Sequence, residues 1–309
     1  KRQHDLTRQL QDVDREGLLR VLPEAARIDL RSAGGSGAGG FLEPFLPSVA
    51  IRMPDAHLRT ALRARFGLPS PGFDSALGAA TPATHCHHRY ASSGDFCGQL
   101  VVAATEGGSH DPLLCDIGQT YIYWHNRLRD YIAQLTADLT GAPAPIEQIV
   151  PAWCLDATPE DIAAASGLPT PPGYDVRTAK KRVAKLDVGG LVGSLRTWID
   201  VGFTCARTTV ADERYYRAAN DGYAAAQYVA TKRRRYPVVK NPSEPLVPFI
   251  IEAFGRPSLE ASAFLRSIAP TNLAERTQVL SAAWQTISCL TQMRLAELYL
   301  SAEQARSLR

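Results

Sequence analysis

Apolar and polar residues alternate along two neighbouring stretches in the middle of the chain. Between Arg196 and Cys205, the residues Ile199, Val201, Phe203 and Cys205 fall on one side and Trp198, Asp200, Gly202 and Thr204 on the other, which predicts a half-buried strand. Between Arg182 and Val188, the residues Ala184, Leu186 and Val188 make an apolar side, while Val183, Lys185 and Asp187 share the opposite one. Gly189, Gly190 and Gly193 suit a hairpin loop somewhat longer than the tightest two-residue kind. Antiparallel pairing in the right register brings Asp187 and Asp200 together on one face.

The pattern elsewhere is mostly helical. Residues 1 to about 30 repeat Leu6, Leu10, Val13 and Leu18 at roughly helical spacing, and residues 54–67 read as a second helix. From Gln119 to Thr140, Trp124, Leu128, Ile132, Leu135 and Leu139 share an apolar face. Ile146 to Val150 is a short strand candidate. The Pro-rich, acidic stretch from Asp156 to Tyr174 reads as a surface insertion with one short helix near 159–166. A helix begins at Val210 and carries Lys232 and, one turn later, Tyr236 on the same face before Pro237 ends it. Leu246 to Phe254 is a buried type of strand, and helices follow over 259–269 and 274–305. The glycine run from Gly34 to Gly40 lacks a following Gly-Lys-Ser/Thr and a preceding strand, so a flexible loop is expected rather than a phosphate cradle.

These elements describe an α/β chain. A helical segment with linkers covers 1–80, a cysteine and histidine cluster 81–118, a mixed-sheet core 119–256 and a helical tail 257–309. The 309 residues, 45% hydrophobic and 21% charged, have the composition of a soluble globular protein. A net charge of +3 is mild, so any nucleic-acid surface must come from local clusters such as Lys180-Lys181-Arg182 and Lys232-Arg233-Arg234-Arg235. No apolar run is long enough to span a bilayer and the N-terminus lacks the apolar core of a signal peptide, which makes a cytosolic or nuclear protein the default expectation.

Three of the six cysteines lie near four histidines between His85 and Cys115. In a reducing compartment that clustering points to metal more than to disulfide. Cys86, Cys97, His110 and Cys115 are the candidate zinc ligands, with His88 or His85 able to replace one of them. The ten residues between Cys86 and Cys97 stretch the spacing of a compact knuckle, and a loop with free thiols is the other reading.

Two carboxylates on a rigid sheet can hold a hard divalent cation such as magnesium, which polarises a phosphodiester and acidifies bound water. Asp187 and Asp200 can equally be solvated strand residues flanked by Lys185 and Arg196. The lysine that usually lies two residues beyond the second acid in metal-dependent nucleases is Gly202 here, and Lys232 on the following helix could supply the ammonium instead. His125 and Arg129, one turn apart, could contact phosphate or simply occupy a surface.

Order and spacing of these pieces give the chain a family likeness. The Gly-Ala-Gly-Gly-Phe-Leu segment at 37–42, the helix ending Arg65-Phe66-Gly67-Leu68-Pro69, the knuckle ending in His110 and Cys115, and His125-Asn126-Arg127-Leu128-Arg129-Asp130 come in turn. Lys185-Leu186-Asp187, Asp200 and the displaced Lys232 and Tyr236 follow. From about Ala33 to its end, the chain resembles the restriction-like endonuclease region of non-LTR retrotransposon polyproteins, of the site-specific type that follows a reverse transcriptase. It departs from that family at Leu186, where a proline is usual.

The resemblance implies a restriction-endonuclease-like core that nicks DNA with magnesium and leaves a 3′-hydroxyl to prime reverse transcription in the nucleus. It places Asp187 and Asp200 on the metal, Lys232 and Tyr236 in the catalytic site and Glu147 as an additional acid. It gives phosphate contacts to His125, Arg127, Arg129, Lys180, Lys181, Arg182, Arg233 and Arg234. DNA and the element's own RNA are the expected partners, with structural zinc at the knuckle and neither a membrane nor a small organic cofactor. Two rivals stay open: an inactive remnant that only binds nucleic acid, and a helical interaction scaffold using the long C-terminal stripe.

Overall fold

The alternating stretches around Asp187 and Asp200 form the centre of a four-stranded mixed sheet. The computed structural model describes residues 2–43, 51–68, 85–86, 88, 95, 97–99, 101, 111–115, 120–154, 157–175, 178 and 182–303. Its strands are β1 (Ile146–Ile149), β2 (Lys185–Val192), β3 (Leu195–Thr204) and β4 (Leu246–Glu252), in the spatial order β1-β2-β3-β4. The first three are antiparallel neighbours, and β4 runs parallel to β3.

Nine α-helices accompany the sheet among the described residues: α1 (Arg2–Val21), α2 (Glu24–Ser32), α3 (Asp55–Arg65), α4 (Thr120–Thr140), α5 (Pro159–Ala165), α6 (Ala211–Ala219), α7 (Tyr223–Arg235), α8 (Leu259–Ile268) and α9 (Leu273–Glu303). A parallel neighbour requires a crossover connection, and α6 and α7 provide it between β3 and β4. None of the helices is long and apolar enough to cross a membrane among the described residues.

One face of the sheet builds the main core. Val188, Ile199, Val201 and Phe203 meet Trp124, Leu128 and Ile132 of α4, Phe264 and Leu265 of α8, and Ile287, Leu290 and Met293 of α9. The helical tail thus packs into the same core as the strands. From Gln285 to Ala296 every residue of α9 is buried, the burial expected of a helix surrounded by protein rather than one with a single apolar stripe.

The opposite face is covered too, which corrects the expectation of half-buried strands. Residues 197–203 of β3 are all buried, and Trp198 packs with Trp153, Leu186, Ala184 and Tyr236. Ala184 and Leu186 therefore part company with Val188, and β2 presents no uninterrupted apolar side. Farther along, Ala225 and Val229 of α7 sit on Ile250.

Two other expectations change. The helix predicted from Val210 onward is two helices, because Gly222 caps α7 in the left-handed region at φ 71°, which a continuous right-handed helix excludes. The glycine run is packed rather than flexible. A Cβ on Gly37, at φ +83°, would come 2.6 Å from the Trp284 ring. Close by, Ser288 Oγ donates to the Ala38 carbonyl at 3.1 Å and accepts the Phe41 N–H at 3.2 Å. Absence of side chains lets this backbone lie directly on α9.

Candidate active site

Pairing of β2 with β3 runs from Val192–Leu195 to Val188–Ile199. Just past the end of this ladder lie Asp187 and Asp200, whose carboxyl groups interact side by side. The Val201 N–H donates to Asp187 Oδ2 at 2.7 Å, so this carboxylate reaches across to the neighbouring strand. Its other oxygen, Oδ1, lies 3.0 Å from His125 Nε2. His125 is placed by α4, whose adjacent Trp124 is anchored in the main core.

Lys232 arrives from the other side. With Ala225 and Val229 of α7 seated on Ile250, the next turn carries its ammonium over Asp200, 2.9 Å from Oδ1 and 2.8 Å from Oδ2. Only the Oδ1 contact has hydrogen-bond direction, and Oδ2 is buried with no hydrogen-bond partner. A side chain on Gly202 would meet the Tyr228 ring at 2.8 Å. The strand position beyond the second acid is therefore occupied by α7, the helix that brings the lysine. Tyr236, one turn after Lys232, is 3% exposed and packs its ring 5.8 Å from that of Trp153.

Burial pushes the Asp200 carboxyl up to about 6; Lys232 opposes the rise and Asp187 adds to it. Burial also acts to raise Asp187, but His125, the Val201 N–H and Asp200 together hold it below the ordinary carboxylate value. The last proton of the pair consequently resides on Asp200. Burial works against the Lys232 charge, yet Asp200 keeps this ammonium above its ordinary value. The Tyr236 phenol is pushed up to about 12, first by burial and then by Asp200, so it is a neutral donor near pH 7.

The acids line a cavity of about 550 Å³ together with His125, Lys232 and Tyr236. Lys185 and Arg235 add two further cations to its wall. Ala164 to Gly167, at the end of α5, close another side. That insertion is held by Asp161, which caps α5 through Thr158 and accepts the Tyr174 hydroxyl at 2.6 Å. Two facing carboxylates offer oxygen ligands of the kind a small hard cation takes, and the Lys232 ammonium stands within 2.9 Å of both Asp200 oxygens.

Several residues expected at the site lie elsewhere. Glu147 does not line the cavity; it is tied to Lys185 at 2.6 Å and to Arg129. The hydrogen bond from Lys185 is the first cause that holds its carboxyl low. Arg129, expected on phosphate, is 8% exposed, because it projects from the packed side of α4 and its charge is matched by Asp130 and Glu147. His125 faces Asp187 rather than an open surface. Arg127, Arg182, Arg233 and Arg234 are exposed, although Arg233 pairs with Glu260 at 2.9 Å. Lys180 and Lys181 lie outside the described residues. The sequence put Arg235 in a basic cluster without tying it to the acids, and it left the α5 wall unassigned. Arg235 is one of four consecutive basic residues, whereas nothing in the pattern of the α5 segment ties it to β2.

The cysteine and histidine cluster assembles around a different histidine. Cys86, His88 and Cys115 bring ligand atoms within 4.8 Å of one another, a group that could hold a metal ion. His110 lies outside the described residues, and Cys97 is not one of the three. Cys97 is nevertheless held beside them, its N–H donating to the His88 carbonyl at 2.7 Å while Cys86 N–H donates to Gln99 O at 2.8 Å. His88 Nε2 lies 2.8 Å from the Leu298 carbonyl, which can only accept, so the proton is on Nε2 and the lone pair on Nδ1. Burial, and then the neighbouring thiols, push the Cys86 thiol far up in the absence of a cation.

No family model matches the chain, and no curated protein or solved structure matches it.

Proposed function

We propose that this chain is a magnesium-dependent DNA endonuclease with a restriction-endonuclease-like core, the nicking end of a non-LTR retroelement protein. The observation that carries the reading is the convergence of Asp187 from β2, Asp200 from β3 and Lys232 from α7 in one cationic cavity. Asp187 and Asp200 would hold the magnesium ion. When bound, that ion supplies positive charge at the scissile phosphate and acidifies water.

The chain's own groups do the rest. Lys232 presents an ammonium to the attacking water or to the charge that grows on the phosphate oxygens. His125 keeps Asp187 in its rotamer, and Tyr236, neutral near pH 7, donates a proton in a hydrogen bond without losing it. Lys185 and Arg235 meet the flanking phosphates. Water oxygen bonds to phosphorus and gives up a proton to solvent as the bond to the 3′ oxygen breaks and that oxygen takes a proton from solvent, leaving a 3′-hydroxyl and a 5′-phosphate. In a retroelement that 3′ end primes copying of the element's RNA in the nucleus. Zinc is the metal proposed for the cysteine cluster: Cys86 and Cys115 sulfurs stand 3.9 Å apart. Two thiolates on a tetrahedral zinc at 2.3 Å are separated by about 3.8 Å.

The test is to incubate the purified chain with supercoiled plasmid and magnesium, then offer the product to a DNA polymerase with labelled nucleotides. Nicked circles that are extended directly, and that do not form when chelator is present, are the expected result. Plasmid that is bound yet left intact under every metal and salt condition overturns the nuclease reading in favour of a nucleic-acid-binding module.

A further inference from the structure

Exposed apolar side chains follow closely in sequence on two residues that line the cavity, Tyr236 and Gly167, where a phosphate-binding surface would ordinarily be polar. Immediately after Tyr236 the chain forms a 3-10 turn, Val238–Lys240, on which Val238 is 56% and Val239 83% exposed. Single exposed apolar residues are ordinary. Here two β-branched residues stand side by side on a turn that cannot easily fold away. Its backbone is closed by Lys240 N–H and Asn241 N–H donating to Pro237 O and Val238 O, both at 3.0 Å, and the Trp153 indole donates to Pro237 O at 3.0 Å. Since Tyr236 lines the cavity, Val238 lies within about 8 Å of its wall by chain spacing alone. On the α5 wall, Leu168 follows the cavity residue Gly167 and is 60% exposed.

Charge identifies what these residues meet. Arg233, Arg234, Arg235 and Lys240 are all exposed within the same eight-residue stretch, a setting that suits a polyanion. Depth adds a second requirement. The side chains of Asp187 and Asp200 are only 15% and 7% exposed, so displacing the scissile nucleotide from a stacked duplex shortens the path of its phosphate to them. Apolar wedges inserted between base steps achieve that displacement in other nucleic-acid-binding proteins, with flanking cations fixing the backbone.

We infer that Val238 and Val239, with Leu168 on the other wall, form a wedge that unstacks the DNA step at the cleavage point and lets the scissile nucleotide enter the cavity. This inference rests on the nuclease reading and adds a substrate condition to it: the step that is cut is one that the protein itself opens. Deformable steps are then cut preferentially, because unstacking them costs least.

One plasmid in two forms tests this. Negative supercoiling offers steps that are already prone to melt, whereas the relaxed closed circle does not. Wild type is expected to nick both. The Val238→Ser/Val239→Ser variant should keep the supercoiled rate within about twofold and lose about tenfold on the relaxed circle. Leu168→Ser should shift the ratio in the same direction. Because all three side chains are exposed, unchanged thermal melting is expected, and the ratio between the two forms is insensitive to a general loss of active protein. Equal loss on both forms, no loss on either, or a wild type confined to the supercoiled form overturns the wedge. A wild type that nicks neither form overturns the nuclease reading and the wedge with it.

Discussion

Replacing Lys232 with methionine removes the ammonium from Asp200 while retaining a long, flexible side chain. With Lys232 in place, Asp200 sits at about 6 against an ordinary 3.8, raised by burial, lowered by Lys232 and raised by Asp187. A rise of about 2 units corresponds to about 3 kcal/mol held against the ionised pair at neutral pH. Because the folded value is raised, the stabilisation from protonated Asp200 is complete below 3.8 and is lost as pH rises through about 6. Asp187 acts in the opposite sense: its folded value is lowered, so its contribution is present above 3.8 and lost as pH falls through the folded value.

Removing an opposite charge at hydrogen-bond distance should move the Asp200 titration up by about 1 to 3 units. The assay is calorimetric titration of magnesium into wild type and Lys232→Met from pH 5 to pH 9. Magnesium is the suitable probe because thiolate ligands at the cysteine cluster disfavour it. Wild-type affinity should be level above about pH 6 and fall about tenfold per unit below it. In the variant the break should move up by about 1 to 3 units, and at pH 9 binding should be tighter than in wild type, since no ammonium competes for Asp200. Nicking should be lost even where binding is tighter. An unchanged break would refute the idea that Lys232 sets the charge state of this site.

Other outcomes follow from the same geometry. Gly37→Ala places a Cβ against Trp284 at a left-handed position, and urea unfolding should show a loss of about 2 to 3 kcal/mol. Elemental analysis should find zinc in the wild type, with Cys115→Ser losing both the metal and several degrees of melting temperature; a zinc-free wild type would remove zinc from the cluster. Arg234→Gln should lower the salt dependence of DNA binding by about one in slope, whereas Arg129→Gln should leave that slope alone and cost about 1 to 3 kcal/mol of stability.

Legibility differed sharply between local and distant features. The period-2 alternation of Ile199, Val201 and Phe203 placed β3 and its core face. The hairpin before it was expected with a longer glycine loop, but Gly189 and Gly190 are paired residues of β2, and Gly193 and Ser194 alone turn the chain between Val192 and Leu195. Lys232 and Tyr236 could be read together because one helical turn separates them. Burial of the second face was not legible, since Trp198 became core only through contact with Trp153 and Tyr236, some 40 residues away on either side. Arg129 and His125 have the composition of a phosphate surface and are instead matched by Glu147 and Asp187, acids carried by distant strands. Likewise, His88 joins Cys86 and Cys115 through a backbone path that spacing does not reveal, and the glycine run shows its purpose only against Trp284.

The most direct measurement is plasmid nicking and plasmid binding by the same preparations of wild type, Asp187→Asn and Asp200→Asn, in magnesium. Each substitution is expected to abolish nicking and leave filter-binding affinity close to that of wild type, because the exposed cations proposed to meet phosphate are untouched. Nicking that survives in both variants would contradict a two-carboxylate metal site at the heart of this sheet.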